Sequence, residues 1–242
     1  MIVDHLLMLA LFVVQPLHGA WAYRRYVARI EGGEAPDRIG QYRDVLIMEW
    51  VAFAVLVAVW VFCARPFADL GFVPPRGTGF VAGLVLLVAA TAWLGHAWRQ
   101  ARHADDDERR KLAAALGDLV HFLPNTRRTY RVFCGVSVTA GIVEETVYRG
   151  FAFWYLAAWL PMWAVVLVSA VIFGLGHSYQ GMSGMFRVTA IGIAFGLFYW
   201  LTGSIWLPMA AHMILDILQG GMLYKMLKRN GKGPVAAESP IS

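Results

Sequence analysis

The sequence predicts an all-α, polytopic membrane helix bundle of about seven transmembrane helices, and three observations carry that expectation. The 242 residues are 59% hydrophobic and only 15% charged, with a mean hydropathy of +0.55, whereas soluble globular chains run at roughly 25% charged. Apolar residues come in long runs separated by polar or Pro/Gly-rich stretches, and a helix needs about 20 apolar residues to cross a bilayer. Basic residues crowd into alternate loops, the asymmetry expected of a polytopic protein. Ten Trp and nine Tyr suit the aromatic belts of membrane interfaces. A chain of this length holds one membrane domain and no large soluble one. Its net charge of +5 reports topology and gives no reason to expect nucleic acid as a partner.

In order, the first span covers about residues 4–23, with Pro16 as a kink because its ring removes a backbone N–H. No basic leader or small-residue cleavage site accompanies it, so it is expected to be a retained span. A polar loop with Gly32-Gly33 and Pro36 leads to the second span, 46–64. Pro66, Pro74-Pro75 and Gly77 mark a turn-rich connection to the third, 80–98. Residues 99–128 form the longest hydrophilic stretch, expected to be solvated and partly helical around Asp105–Lys111. The fourth span runs about 131–159 and ends before Pro161; the fifth, sixth and seventh cover 162–177, 188–201 and 205–227. A polar, disordered tail is expected from Lys228. The organisation is thus 1–130 for the N-terminal spans and a cytoplasmic loop, 131–227 for a membrane core, and 228–242 for the tail. Cys63 and Cys134 lack metal-type spacing and are expected to stay unpaired. Alternate loops hold 18 Lys and Arg while the opposite set holds only Arg65 and Arg76. The N-terminus is therefore expected outside and the C-terminus in the cytoplasm.

The chemistry is concentrated in the fourth span. Glu144, Glu145 and Arg149 sit within six residues of one another in an otherwise apolar run. Each ionisable group at a helix centre costs roughly 2.5–3.5 kcal/mol on insertion, so such a cluster needs a reason. Glu145 and Arg149 are spaced i,i+4 and can neutralise one another. Glu144 points about 100° away around the helix and needs another partner. Two stretches can supply it. The fifth span closes on Phe173-Gly174-Leu175-Gly176-His177, and the seventh carries His212 and Asp216 on one helical face. An acid one turn from an imidazole can fix its tautomer and raise its basicity. His5, His18, His96, His103 and His121 have no such partner and read as interfacial or solvated.

Glu144, His177, His212 and Asp216 suit two schemes. They could hold zinc with an open position for water, Glu144, His177 and His212 being the ligands. Equally, a carboxylate could act as general base without metal while His and Asp polarise the scissile carbonyl. Both lead to hydrolysis, and spacing does not choose between them. Water must reach them through a polar cavity bounded by the fourth, fifth and seventh spans. As drawn, the spans place His177 and His212 at different depths, which a re-entrant segment over the Gly-rich residues 178–184 would reconcile.

The three motifs resemble those of the CPBP family of intramembrane proteases, which includes type II CAAX-prenyl endopeptidases and bacteriocin-processing or self-immunity proteins. Glu144, Glu145 and Arg149, followed by Gly150, match Glu-Glu-x-x-x-Arg; Phe173 and His177 match Phe-x-x-x-His; His212 and Asp216 match His-x-x-x-Asn/Asp. The similarity covers about residues 135–218. It implies an endopeptidase with a CPBP-type catalytic core in a bacterial cell membrane, acting on a membrane-associated peptide or protein that is lipid-modified in some members. It further implies that Glu144 activates water, with His177 helping to hold that water or a metal. His212 and Asp216 would stabilise the oxyanion or complete a zinc site, and Glu145 with Arg149 would order it. The CAAX-cleaving branch tends to carry Asn where this chain has Asp216, which argues against a prenylated substrate. Two other readings compete: a non-catalytic scaffold or bacteriocin immunity protein of the same family, and a small transporter with a proton relay. No internal repeat of the kind many transporters show is visible, and no motif residue is missing as a degenerate scaffold would allow.

Overall fold

Every apolar run of the sequence becomes a helix. In this computed structural model, which describes residues 2–74, 76–101 and 105–227, eight helices follow one another and no strand occurs among the described residues. They are α1 (Ile2–Glu31), α2 (Arg38–Phe62), α3 (Gly77–Ala101) and α4 (Asp106–Leu116). Next comes α5, which runs as Arg127–Glu145, continues through a π-helical segment Thr146–Ala152 and ends with Phe153–Leu156. The last three are α6 (Met162–Gly176), α7 (Gly181–Thr202) and α8 (Trp206–Leu227). Each expected span maps to one helix, and α4 is the helical part of the polar stretch. Four helical stretches, Ile2–Glu31, Arg38–Phe62, Gly77–Arg99 and Ser178–Thr202, are long and apolar enough to cross a membrane. The chain is an all-α membrane protein. Arg102, His103 and the tail from Lys228 lie outside the described residues.

Local chemistry sets the helix limits. Asp37 starts α2 by accepting a hydrogen bond from the Gly40 N–H at 2.9 Å. Reciprocal capping by Asp105 with Glu108 starts α4, and Thr126 with Thr129 starts α5. Pro161 stands just before α6. The kink expected at Pro16 takes the form of a π-helical turn over Ala10–Val14, where the Gln15 N–H reaches the Ala10 carbonyl. A proline cannot supply the usual N–H one turn on, so the preceding turn widens instead. The Gly-rich stretch 178–184 is irregular only over the short 3₁₀ turn Ser178–Gln180. Gly181, at φ +76°, reverses the chain in one residue, and α7 begins there rather than at 188.

Close packing fixes the bundle. On α7, a Cβ on Gly192 would lie 3.1 Å from Ala170 Cα, and one on Gly196 would lie 3.1 Å from Val166 Cγ1, both on α6. Gly141 on α5 brings the Met209 carbonyl of α8 equally near, 3.1 Å from a Cβ placed there. Small residues permit this approach, and dispersion contacts replace the hydrophobic drive that lipid does not provide. Leu7 and Leu11 of α1, Leu56 and Trp60 of α2, Val143, Val147 and Phe151 of α5 and Phe173 of α6 share one core. Outward-facing Val51, Val55, Val85, Leu86 and Trp93 leave an apolar exterior of the kind lipid covers.

Two connections close the ends of the bundle. The Pro-rich link after α2 folds inward: Leu70 is fully buried, the Ile205 N–H donates to Gly71 O at 3.0 Å, and Ser204 Oγ donates to Val73 O at 3.0 Å. Arg65 in that link pairs with Asp4 at 2.7 Å and lies 4.5 Å over the Trp154 ring, anchoring the start of α1. At the opposite end, Tyr26, Arg38 and Tyr42 donate to the carbonyls of His121, Leu123 and Phe122 at 3.0, 2.7 and 2.6 Å. The segment before α5 is thereby tied down beside the bundle mouth. Cys63 and Cys134 are free, as expected.

Replacing Gly192 by Leu is expected to lower the melting temperature in detergent, because over-packing of this kind costs about 1–3 kcal/mol. Gly135, with nothing within 4 Å of a Cβ, should accept Ala with no loss. Equal tolerance at both positions would rule out the tight α6–α7 seam.

Candidate functional site

The three charged residues of α5 point in two directions, and the structure separates their roles. Glu145 and Arg149 are both fully buried, with Arg149 Nη1 donating to Glu145 Oε1 at 2.8 Å. Arg149 Nη2 donates to the Gly192 carbonyl at 3.1 Å. Its guanidinium plane lies 4.7 Å from the Phe173 ring centroid and 5.4 Å from that of Phe195. Two charges out of water survive only when such contacts replace their hydration. The π-helical segment around Arg149 is itself supported: Thr146 Oγ1 donates to Ile142 O at 2.7 Å, and Ser169 Oγ of α6 donates to Tyr148 O at 3.1 Å. Single π turns inside α-helices recur at functional sites because they re-aim side chains.

The same Glu145 oxygen also accepts from His212 Nδ1, at 2.8 Å. This corrects the expectation that Asp216 fixes the His212 ring. Asp216 Oδ2 stands 3.6 Å from Nε2, beyond hydrogen-bonding range, and Glu144 Oε2 stands 3.8 Å from the same nitrogen. The i,i+4 spacing does put Asp216 on the right face. Glu145 reaches the ring first because Gly141 lets α5 and α8 approach. A carboxylate only accepts, so Nδ1 carries a hydrogen and Nε2 is presented to the two other acids. His177 follows α6, and its Nδ1 donates to Phe173 O at 2.9 Å, leaving Nε2 as the ring's free position.

Glu144, His177, His212 and Asp216 line one cavity of about 320 Å³. Glu145 and Arg149 are absent from its wall and stand behind it. His177 and His212 line this same cavity although the expected spans set them at different depths. From Glu144 the cavity extends past Tyr148 and Tyr179 to Gln41, Leu119 and Gln219, beside the tied-down segment before α5. Its walls include Gln15 and Tyr23 of α1 and Glu49 of α2, so more helices enclose it than the fourth, fifth and seventh expected spans. Glu49 was missed by sequence reasoning. Its signal was present: a lone acid inside an apolar span, the kind of residue that marks a site by default.

Among the described residues, no three His, Cys, Asp or Glu side chains form a group that could hold a metal ion. The set Glu144, His177 and His212 therefore does not fit zinc as arranged, and no step below passes through a metal.

Glu145→Gln should lower thermal stability markedly, because it unpairs Arg149 and weakens the hold on His212. Breaking a buried pair costs about 3–5 kcal/mol. Glu144→Gln, whose Oε2 has no hydrogen-bond partner among the described residues, should melt near wild type. Equal melting temperatures for the two variants, measured by dye-monitored unfolding in detergent, would overturn this division of labour.

Comparison with known proteins gives the site a family context. Residues 127–218 match the family described as type II CAAX prenyl endopeptidase Rce1-like. A stretch of 80 residues is 31% identical to the Bacillus subtilis protein named "Putative membrane peptidase YdiL", covering 33% of this chain and 32% of that one. The chain thus matches about a third of the length of this relative. No solved structure matches. The matched region, residues 127–218, holds all three motifs and every catalytic candidate, and it is similar to the Rce1-like type II CAAX prenyl endopeptidases.

Proposed function

We propose that this protein is an intramembrane endopeptidase that hydrolyses a peptide bond of a membrane-associated peptide or protein. The observation that carries the reading is a cavity inside an apolar bundle on whose wall Glu144, His177, His212 and Asp216 come together, backed by the Glu145–Arg149 pair. Glu144 serves as general base and takes a proton from water. Its side chain lines the cavity and is partly exposed there, which puts the carboxylate within reach of that water. His177 Nε2 accepts the second hydrogen and fixes the water's position. His212, held by Glu145 at Nδ1, donates from Nε2 to the developing oxyanion when the ring is doubly protonated, and Asp216 steadies that charge. The proton on Glu144 then passes to the leaving amine. Positioned proton transfer contributes roughly 10²–10⁴-fold, and oxyanion stabilisation a further large factor.

Asp216 in place of the Asn common in CAAX-cleaving proteins supports a substrate other than a prenylated one. The loop charges support an N-terminus outside and a cytoplasmic C-terminus, in a bacterial cell membrane. The cavity then faces the cytoplasm, because Gln41 and Gln219 lie toward the basic loops.

Three measurements test this. Glu144→Gln should lose cleavage of a peptide library by at least about 10²-fold in kcat, since Gln keeps the shape but cannot accept the proton. Comparable turnover would remove Glu144 as base. Chelator is expected to leave wild-type activity intact; loss restored by added Zn²⁺ would assign Glu144, His177 and His212 to a metal. In a background free of Cys63 and Cys134, Cys at Gln41 and Gln219 should react with a membrane-impermeant thiol reagent from the cytoplasmic side. Cys at Val55, which is 46% exposed on the apolar exterior, should not. Labelling only from outside would reverse the orientation.

A further inference from the structure

Glu49 is the group the chemistry above does not use. It sits on α2 in the inward stripe Tyr42, Val45, Glu49, Ala52, Leu56, where the other positions are apolar or aromatic. It is 7% exposed, lines the cavity and makes no hydrogen bond or ion pair to the described residues. Glu144 and His212 lie within its electrostatic reach. A methionine or leucine would fill this stripe without the cost of a buried acid, so packing alone does not account for Glu49. The charge on the wall is one-sided. Glu49, Glu144 and Asp216 line the cavity with two histidines, and no Lys or Arg does so among the described residues. Arg149, on the same helix as Glu144, does not line the cavity and is neutralised by Glu145.

We propose that Glu49 is a specificity-determining residue that receives a basic group of the substrate, a Lys or Arg side chain or a free amine, beside the scissile bond. This deepens the peptidase reading and rests on it. Two acids on the wall of one largely apolar cavity repel, and a cation entering that cavity relieves the repulsion while it is itself desolvated. A substrate acid would meet three carboxylates and no permanent cation, so the same wall rejects an anionic segment. Glu144 can act as base for the water only while the substrate's charge is taken by a different acid. A second carboxylate on α2 meets that need, and α2 is not part of the helix that carries the base.

The test uses fluorogenic ten-residue peptides of Ala and Leu in which one position, walked along the chain, is Lys, norleucine or Glu. Wild type should show a kcat/KM at least about tenfold higher for Lys than for norleucine at one position, and lowest for Glu, the size of effect expected for a desolvated charge pair. In Glu49→Gln, which keeps shape and hydrogen bonding but not charge, the Lys-to-norleucine ratio should fall toward one; Glu49→Asp should retain it. Glu49→Met, which suits the apolar stripe, gives the same readout should the Gln variant fold poorly. No Lys preference in wild type, or a preference that persists in Glu49→Gln and Glu49→Met, overturns the proposal. Binding of the same labelled peptides to Glu144→Gln by fluorescence anisotropy separates the two readings. Lys-selective binding that requires Glu49, with no cleavage by wild type, would sink the peptidase reading alone. Cleavage without charge selectivity in either assay would sink Glu49 alone.

Discussion

One carboxylate oxygen organises this protein. Glu145 Oε1 accepts from Arg149 on its own helix and from His212 on α8, both at 2.8 Å and all within a fully or nearly fully buried setting. In a bilayer no water can substitute for either contact. The charge of Arg149 needs Glu145, and the orientation of His212 needs it too, so losing one group strands the others. Arg149 extends the network to the Gly192 carbonyl of α7 and to the faces of Phe173 and Phe195. Four helices thus meet on one ion pair. A buried pair is weak evidence for net stability, but it is strong evidence for a fixed arrangement, because the alternatives leave charges uncompensated.

The arrangement has a division of labour that follows from its geometry. Neighbouring acids on a helix point about 100° apart, so Glu144 faces the cavity when Glu145 faces the protein. The inner acid gives up its freedom to hold the ring and the guanidinium. The outer acid lines the cavity. The π-helical segment that follows, with its Tyr148 carbonyl taken up by Ser169 and its glycine at 150 packed on Leu70, sets the direction in which Arg149 leaves the helix. Around this frame α6 ends at Gly176 and α7 starts at Gly181, and His177 just after α6 lines the same cavity as His212.

Much of this was legible in the chain. Apolar run lengths gave one helix per expected span, although α1, α2 and α7 reach well beyond the apolar runs into polar or Gly-rich sequence, and Pro16 gave the deformation in α1. The Glu145–Arg149 pair followed from i,i+4 spacing alone. What spacing could not supply was any contact between helices. His212 has Asp216 one turn away in sequence, yet its hydrogen bond goes to Glu145, 67 residues earlier. Glu49 stood alone in an apolar run with no motif around it, and only its place on the cavity wall shows that it shares a space with Glu144.

By itself, then, the sequence determined that this is a helical membrane protein, which residues are too costly to bury without purpose, and which pairs share a helical face. Those are local properties, fixed by hydropathy and by the 3.6-residue turn. Only the tertiary structure decided which acid holds His212, that Glu145 and Arg149 stand behind the cavity rather than in it, and that α1 and α2 help to enclose it. These depend on how closely helices approach, at Gly141, Gly174 and Gly192 above all. Helix approach is a matter of side-chain volume summed over two partners, and no single stretch of sequence contains both.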